Sequence, residues 1–197
     1  MNTTISFCAI SDAEINRLWD KYGTPEPVRR HCSAVARQAM RLCERVNTAV
    51  ERETLYAAAM LHDLVRQKKD HAREGAEVLR REGYERLAGI VAVHHDLPAK
   101  GASAEMELLA LADRLVIGDR TVTLSRRFAE SKKKCFDEAG RCAWAQRYAE
   151  AVGLARKYGL FDVIGEGEEY EEDCGDYSGG GTFLAHGRVQ AAAADGE

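Results

Sequence analysis

No stretch of this chain is long and apolar enough to form a bilayer-spanning helix. Met1 to Ile10 hold no basic segment followed by an apolar one, so no secretory leader is expected and the cytoplasm is the expected compartment. No glycine-rich phosphate loop precedes a helix, which argues against a Walker or dinucleotide-binding fold. No serine sits in the strained strand-to-helix turn that exposes a nucleophile. Strict two-residue alternation with β-branched side chains is scarce, and no strand is predicted. There is no excess of one charge either. A net charge of −4 with 30% charged residues gives no general pull toward nucleic acid or an anionic membrane, and neither partner is expected. The six cysteines, Cys8, Cys32, Cys43, Cys135, Cys142 and Cys174, lack the tight pair spacing of a zinc site. In a helical chain of this size they read as reduced and mostly buried rather than as a disulfide framework.

What is present is helix punctuation. The 197 residues, 45% of them apolar, suffice for one domain with a proper core. Ser11 and Glu14 form a capping-box pattern ahead of Ile15, Leu18, Trp19 and Tyr22, with Gly23 as the stop. Thr24 is the expected cap of a second helix, with Pro25 in its first turn, running to about Val46 with Val28, Val35, Ala39, Leu42 and Val46 inward. A third helix carries Leu55, Ala58, Ala59 and His62. Asp70 is the expected cap of a fourth, ending at Gly83. A fifth holds Leu87, Ile90, Val91 and His94 and ends before Pro98. A sixth runs from Ser103 through Met106, Leu109, Ala110, Asp113 and Val116 to Gly118. Further helices are predicted over Leu124 to Lys133 and through Trp144, Tyr148, Val152 and Ala155 to Gly159. The expected class is all-α, divided into an N-terminal helix packing on the core (1–24), a helical domain (25–162) and a mobile acidic, glycine- and alanine-rich tail (163–197). The sequence admits a homodimer.

Five of the six histidines fall between positions 31 and 95: His31, His62, His71, His94 and His95. Each lies on or beside the apolar face of its predicted helix. Asp113 follows Ala110 by three and Leu109 by four, on the inward side. A core-facing carboxylate is costly unless it is paired, hydrogen-bonded or bound to a cation, and Asp63 beside His62 poses the same problem. Several imidazoles and two carboxylates aimed at one interior are satisfied together by a divalent metal. Nitrogen and oxygen ligands without thiolate suit Fe, Mn, Co, Ni or Zn. The competing reading makes each histidine a hydrogen-bonded core residue and each aspartate a cap; it weakens as the same pattern recurs on several apolar faces.

The order His31, then His62-Asp63 within Ala58-Ala59-Met60-Leu61-His62-Asp63-Leu64, then Asp113 within Leu111-Ala112-Asp113-Arg114-Leu115, resembles the HD superfamily of metal-dependent phosphohydrolases, over roughly Pro27 to Ser125. His71 before Gly75-Ala76, and Ile90-Val91-Ala92-Val93-His94 before Pro98, are similar to the extra histidines of its two-metal subgroups. The stretch is similar to bacterial HD-type dinucleoside tetraphosphatases and, over Leu111 to Phe128, to HD domains attached to molybdenum-cofactor nucleotidyltransferases. The Gly-Tyr-Pro signature of the cyclic-dinucleotide phosphodiesterases is missing.

The resemblance implies a single-domain helical HD fold and one or two divalent transition metals. His31, His62, Asp63 and Asp113 would hold the first. Asp63 would bridge to a second on His71 and His94, with His95 as a further ligand or, like Asp96, as a group orienting one. The implied activity is hydrolysis of a phosphate ester or anhydride, of a nucleotide above all, by a metal-activated water, with Asp63 and Arg66 in the catalytic roles. Arg66, Arg114 and Arg120 are the candidate phosphate-binding residues, since guanidinium forks match phosphate oxygens, although Arg114 could equally pair with a neighbouring carboxylate and Asp96 could equally cap the following turn. Lys68 and Lys69 read as solvated charges. Two other functions share the pattern: an HD domain serving as a nucleotide- or metal-binding regulatory module, and an HD-type di-iron oxygenase.

Overall fold

The computed structural model of the chain describes residues 10–165. Most of the expected tail, with Cys8 and Cys174, lies outside them. The described chain is almost wholly helical, and α2 (Glu26–Cys43) is its centre. Cys32, Val35, Ala36, Ala39 and Leu42 recur at helical spacing and are all buried, where α2 packs on α3 (Arg52–Leu61) and α6 (Ala104–Arg114). Three consecutive alanines, Ala57 to Ala59, let α3 lie close to its neighbours. From Leu108 to Asp113 every side chain of α6 is buried, the mark of an inner helix rather than one with a solvent face. Each fully buried leucine here, such as Leu108, Leu109 or Leu111, contributes roughly 1.5–3 kcal/mol of transfer energy.

The other elements close over this trio. α1 (Asp12–Lys21) lays Ile15, Leu18 and Trp19 into the same core, and the Trp19 indole donates to the Met60 carbonyl at 3.1 Å. α4 (His71–Arg81) and α5 (Glu85–Val91) pack together, turned through Gly83 at φ 90°. α7 (Leu124–Lys132) and α8 (Glu138–Lys157) pack on each other, and α8 packs on α6.

Several boundaries differ from expectation. Pro25, not Thr24, is the N-cap of α2, because the Thr24 hydroxyl is drawn away to the Leu64 carbonyl at 2.7 Å. α2 ends at Cys43, three residues early, and Val28 and Val46 are only half-buried. Asp70 precedes α4 without capping it; its carboxylate takes the Arg73 guanidinium instead. α5 stops at Val91, so His94 lies in the turn that follows. Gly118 does not close α6, which ends at Arg114. It turns a short antiparallel hairpin of β1 (Val116–Ile117) and β2 (Arg120–Thr121), strands that were not predicted. Two-residue strands are too short for an alternation pattern, and the signal lies in the turn: Gly118, at φ 63°, takes the first central position of a two-residue loop. Of the described cysteines only Cys32 is buried; Cys43, Cys135 and Cys142 are half-buried, and all four are free.

One surface network ties α1 to the end of α4. The Glu82 carboxylate accepts from Lys21 at 2.6 Å, Tyr22 at 2.5 Å and Arg17 at 2.8 Å. These donors lower its pKa from 4.5 to about 2. A carboxyl depressed by folding stabilises the fold above its unfolded pKa and loses that contribution as pH falls through the folded value. Glu82→Gln should therefore cost about 1 kcal/mol at pH 7, after allowance for solvent screening. The difference from wild type should shrink between about pH 4.5 and about pH 2. Urea melts of both proteins across that range test it; a pH-independent difference would show that packing, not charge, is what the residue contributes.

Candidate metal centre

The site is assembled from helix ends. His31 stands on α2 and Asp113 on α6, His62 caps α3, Asp63 follows it, His71 opens α4, and His94 and His95 sit in the turn after α5. Two of the histidines use the same local device. The last carbonyls of a helix have no intrahelical donor. The His62 ring Nδ1 lies 2.8 Å from the Ala59 carbonyl, and the His94 Nδ1 lies 2.7 Å from the Val91 carbonyl. A carbonyl can only accept, so both Nδ1 atoms carry a proton and both Nε2 atoms are turned inward. His31 is set by the hairpin: its Nδ1 donates to the Gly118 carbonyl at 2.7 Å, leaving its Nε2 3.0 Å from Asp113 Oδ1. Backbone carbonyls thus fix the tautomer and aim of three rings, the arrangement that metal-binding histidines favour.

The inward atoms converge. His62 Nε2 is 3.6 Å from Asp63 Oδ2 and 3.7 Å from Asp113 Oδ1. On the other side of the same carboxylate, Asp63 Oδ1 is 3.1 Å from His71 Nε2 and 3.9 Å from His94 Nε2. His95 Nε2 lies 2.8 Å from His71 Nε2. Ligand atoms of His31, His62 and Asp63 form one compact group within 4.8 Å, and those of His71, His94 and His95 form a second. Asp63 stands between them.

These side chains are buried and short of partners. His62 is 1% exposed, His94 1%, Asp63 5% and Asp113 8%. His62 Nε2, Asp63 Oδ1 and His94 Nε2 are fully buried and lack a hydrogen-bond partner; the 3.1 Å approach of His71 to Asp63 Oδ1 does not have hydrogen-bond geometry. An unsatisfied buried polar atom costs about 1–3 kcal/mol, so three in one place need an explanation. Electrostatics supplies it. Burial disfavours charge on His62, yet the Cys32 thiol, Asp63 and Asp113 outweigh it and lift its pKa well above the histidine norm. Against the same burial, His31 and His62 hold the Asp113 carboxyl well below the usual range, and His62, His71 and Arg66 lower Asp63 to about 2. Burial, with the charge of His62 and His95, lowers His94 to about 3, so it is a neutral ligand at any ordinary pH. Two ionised carboxylates beside the neutral His94 imidazole invite positive charge. The donor set fits a divalent transition metal.

The remaining predicted residues divide. Arg66 lies at the mouth of the cluster, its Nε 3.2 Å from Asp63 Oδ2 and its Nη1 3.1 Å from His71 Nδ1. His95, given a lesser place by the sequence, joins the second group. Asp96 turns outward to Arg147 at 3.2 Å, away from the ligand atoms of the cluster. Arg114 is buried and engaged by the Glu150 carboxylate at 2.7 Å and the His95 carbonyl at 2.9 Å, which commits its Nη2 to the protein rather than to phosphate. Arg120 is exposed on β2, and no hydrogen bond or ion pair among the described residues joins it to the cluster. Sequence reasoning missed the Gly118 carbonyl. The Gly118-Asp119 pair was its only signal, as a hairpin turn rather than a helix stop.

The family model described as HD domain matches residues 28–117, the segment carrying every histidine and aspartate of the cluster. Over that segment, which is under half of the 197 residues, the chain is similar to the HD-domain family. The helical fold agrees with it. No curated protein and no solved structure matches the chain. No helix among the described residues is long and apolar enough to cross a membrane.

Proposed function

We propose that the chain is a metal-dependent phosphohydrolase acting on a phosphate ester or anhydride of a nucleotide, with two divalent ions sharing Asp63. The observation that carries this reading is the convergence of three buried, unpartnered ligand atoms, His62 Nε2, Asp63 Oδ1 and His94 Nε2, on the two sides of one carboxylate. His31, His62, Asp63 and Asp113 would hold the first ion; His71 and His94, with His95, would hold the second. Bound divalent ions supply positive charge for phosphate oxygens and a water of lowered pKa. The chain's own residues do the rest. The carbonyls of Ala59, Val91 and Gly118 keep three imidazoles aimed inward. The apolar packing behind His62 and His94 excludes bulk water and strengthens every charge interaction in front of them.

Arg66 is the cation placed to meet substrate. Its side chain is 51% exposed, and its contacts with Asp63 and His71 occupy Nε and Nη1. Nη2 is left for a phosphate oxygen. Arg66→Ala should raise KM about tenfold or more while both ions remain bound, since a charged hydrogen bond contributes about 1.5–3 kcal/mol. Steady-state kinetics beside elemental analysis of the same sample check this; loss of ions would show that Arg66 serves to hold Asp63 instead.

The test of the function is metal content followed by a nucleotide panel assayed with and without that metal. Two ions per chain with phosphate release support the reading. One ion with release keeps the hydrolase and removes the second subsite. Metal without release on any nucleotide overturns the proposed reaction. No metal after reconstitution with Fe, Mn, Co, Ni and Zn overturns the site.

A further inference from the structure

The turn bearing His94 and His95 is held from outside the segment that the HD family model covers. It runs from Ala92 to Leu97, after a helix of only 7 residues, and has no regular secondary structure of its own. Yet its two imidazoles must meet His71 and the Asp63 carboxylate on the far side of the cluster. A loop keeps such aim only if a second layer of groups fixes it.

That layer comes from α8. Arg114, at the end of α6, places Nη2 between the His95 carbonyl at 2.9 Å and the Glu150 carboxylate of α8 at 2.7 Å. The Arg114 side chain is 9% exposed and that of Glu150 33%, so the pair is shielded from solvent more than a surface ion pair. One turn earlier on the same helix, Arg147 reaches Asp96 at 3.2 Å. That second pair is well exposed and contributes little alone. It nonetheless fastens the residue next to His95 to the same face of the same helix. α8 spans Glu138–Lys157 and lies wholly beyond residue 117, where the family match ends.

We propose that α8 is a positioning element for the second metal subsite: Glu150 holds Arg114 in place, Arg114 holds the His95 carbonyl, and Arg147 steadies Asp96. None of the four touches a reacting atom. The pairing accounts for the Nη2 of a buried guanidinium beside Asp113. It also gives a role to the Asp96 carboxylate, which looks like a ligand in sequence. The proposal rests on the two-ion reading for its effect on metal, but its effect on the turn does not.

The test uses the full-length chain, stripped of metal and titrated with Co2+, comparing wild type with Glu150→Ala, Glu150→Gln and Arg147→Ala. In Glu150→Ala the tighter ion should bind as in wild type while the weaker binds at least about tenfold less tightly, as expected for loss of an outer partner. Glu150→Gln, which keeps an acceptor for Arg114, should recover part of that loss, and Arg147→Ala should show a smaller one. Amide hydrogen exchange of the metal-free proteins supplies the second readout: residues 92–97 should exchange faster in Glu150→Ala, with α2 and α3 unchanged. Equal weakening of both ions, or faster exchange throughout, would reduce α8 to a general support of the fold and overturn the proposal. Unchanged binding with unchanged exchange would overturn it too. A wild type that takes up one ion ends the two-ion reading by itself, and the exchange of residues 92–97 then decides whether α8 holds the turn.

Discussion

Asp63→Ala is expected to bind neither ion tightly and to lose at least about 100-fold in turnover, beyond the 10–100-fold typical of changing a group that only orients a ligand. The reason is its position. One oxygen faces His62 at 3.6 Å and the other faces His71 at 3.1 Å and His94 at 3.9 Å, so a single carboxylate serves both groups of imidazoles. Removing His31 should be milder, because it touches one group only and is partly exposed. Asp63→Asn separates charge from shape: it keeps the volume and one acceptor but not the negative charge. Calorimetric titration with Mn2+ or Co2+, beside turnover of the best substrate in the panel, reads all three. Full activity in Asp63→Ala would remove the residue from the site.

The second large effect concerns stability. Without a cation the fold keeps Asp63 and Asp113 ionised and buried and leaves three ligand atoms without partners. An ion that binds the folded chain alone stabilises it by about 4 kcal/mol when supplied at about 1,000 times its dissociation constant. For a chain of this length that corresponds to a rise of roughly 10 °C in Tm. Mn2+, Co2+ or Zn2+ added to chelator-treated protein should produce it. Mg2+ should do much less, because it prefers oxygen ligands in a rigid octahedron and this cluster is rich in imidazole. Scanning calorimetry decides the matter. A Tm indifferent to every transition metal would mean that the histidines are structural.

The same two residue types, written twice in this chain, show how far a sequence can be read. His62-Asp63 and His95-Asp96 are identical dipeptides, each following an apolar helix. In the first, Asp63 is turned inward and buried; in the second, Asp96 faces solvent and meets Arg147. Periodicity cannot separate them, because both lie past the last helical residue, where side-chain direction is set by the turn and by what packs on it. Arg114 is a related case. Its type and its place beside Asp113 suit phosphate binding, but Glu150, 36 residues away in the chain, comes close enough to take its charge.

By itself the sequence determined the helical class, the main helices and the set of histidines and aspartates that meet. It could do so because apolar residues at helical spacing must face a core, and charged or imidazole side chains on those faces must share it. Only the tertiary structure decided which atoms point at which. The tautomer of His31 depends on the Gly118 carbonyl, 87 residues away, at the tip of a hairpin too short to leave a strand pattern. The aim of His94 and His95 depends on a turn with no periodicity of its own. Burial stripes arise from local repeats and are legible one helix at a time; hydrogen bonds between distant turns depend on how the helices pack, and no local pattern records them.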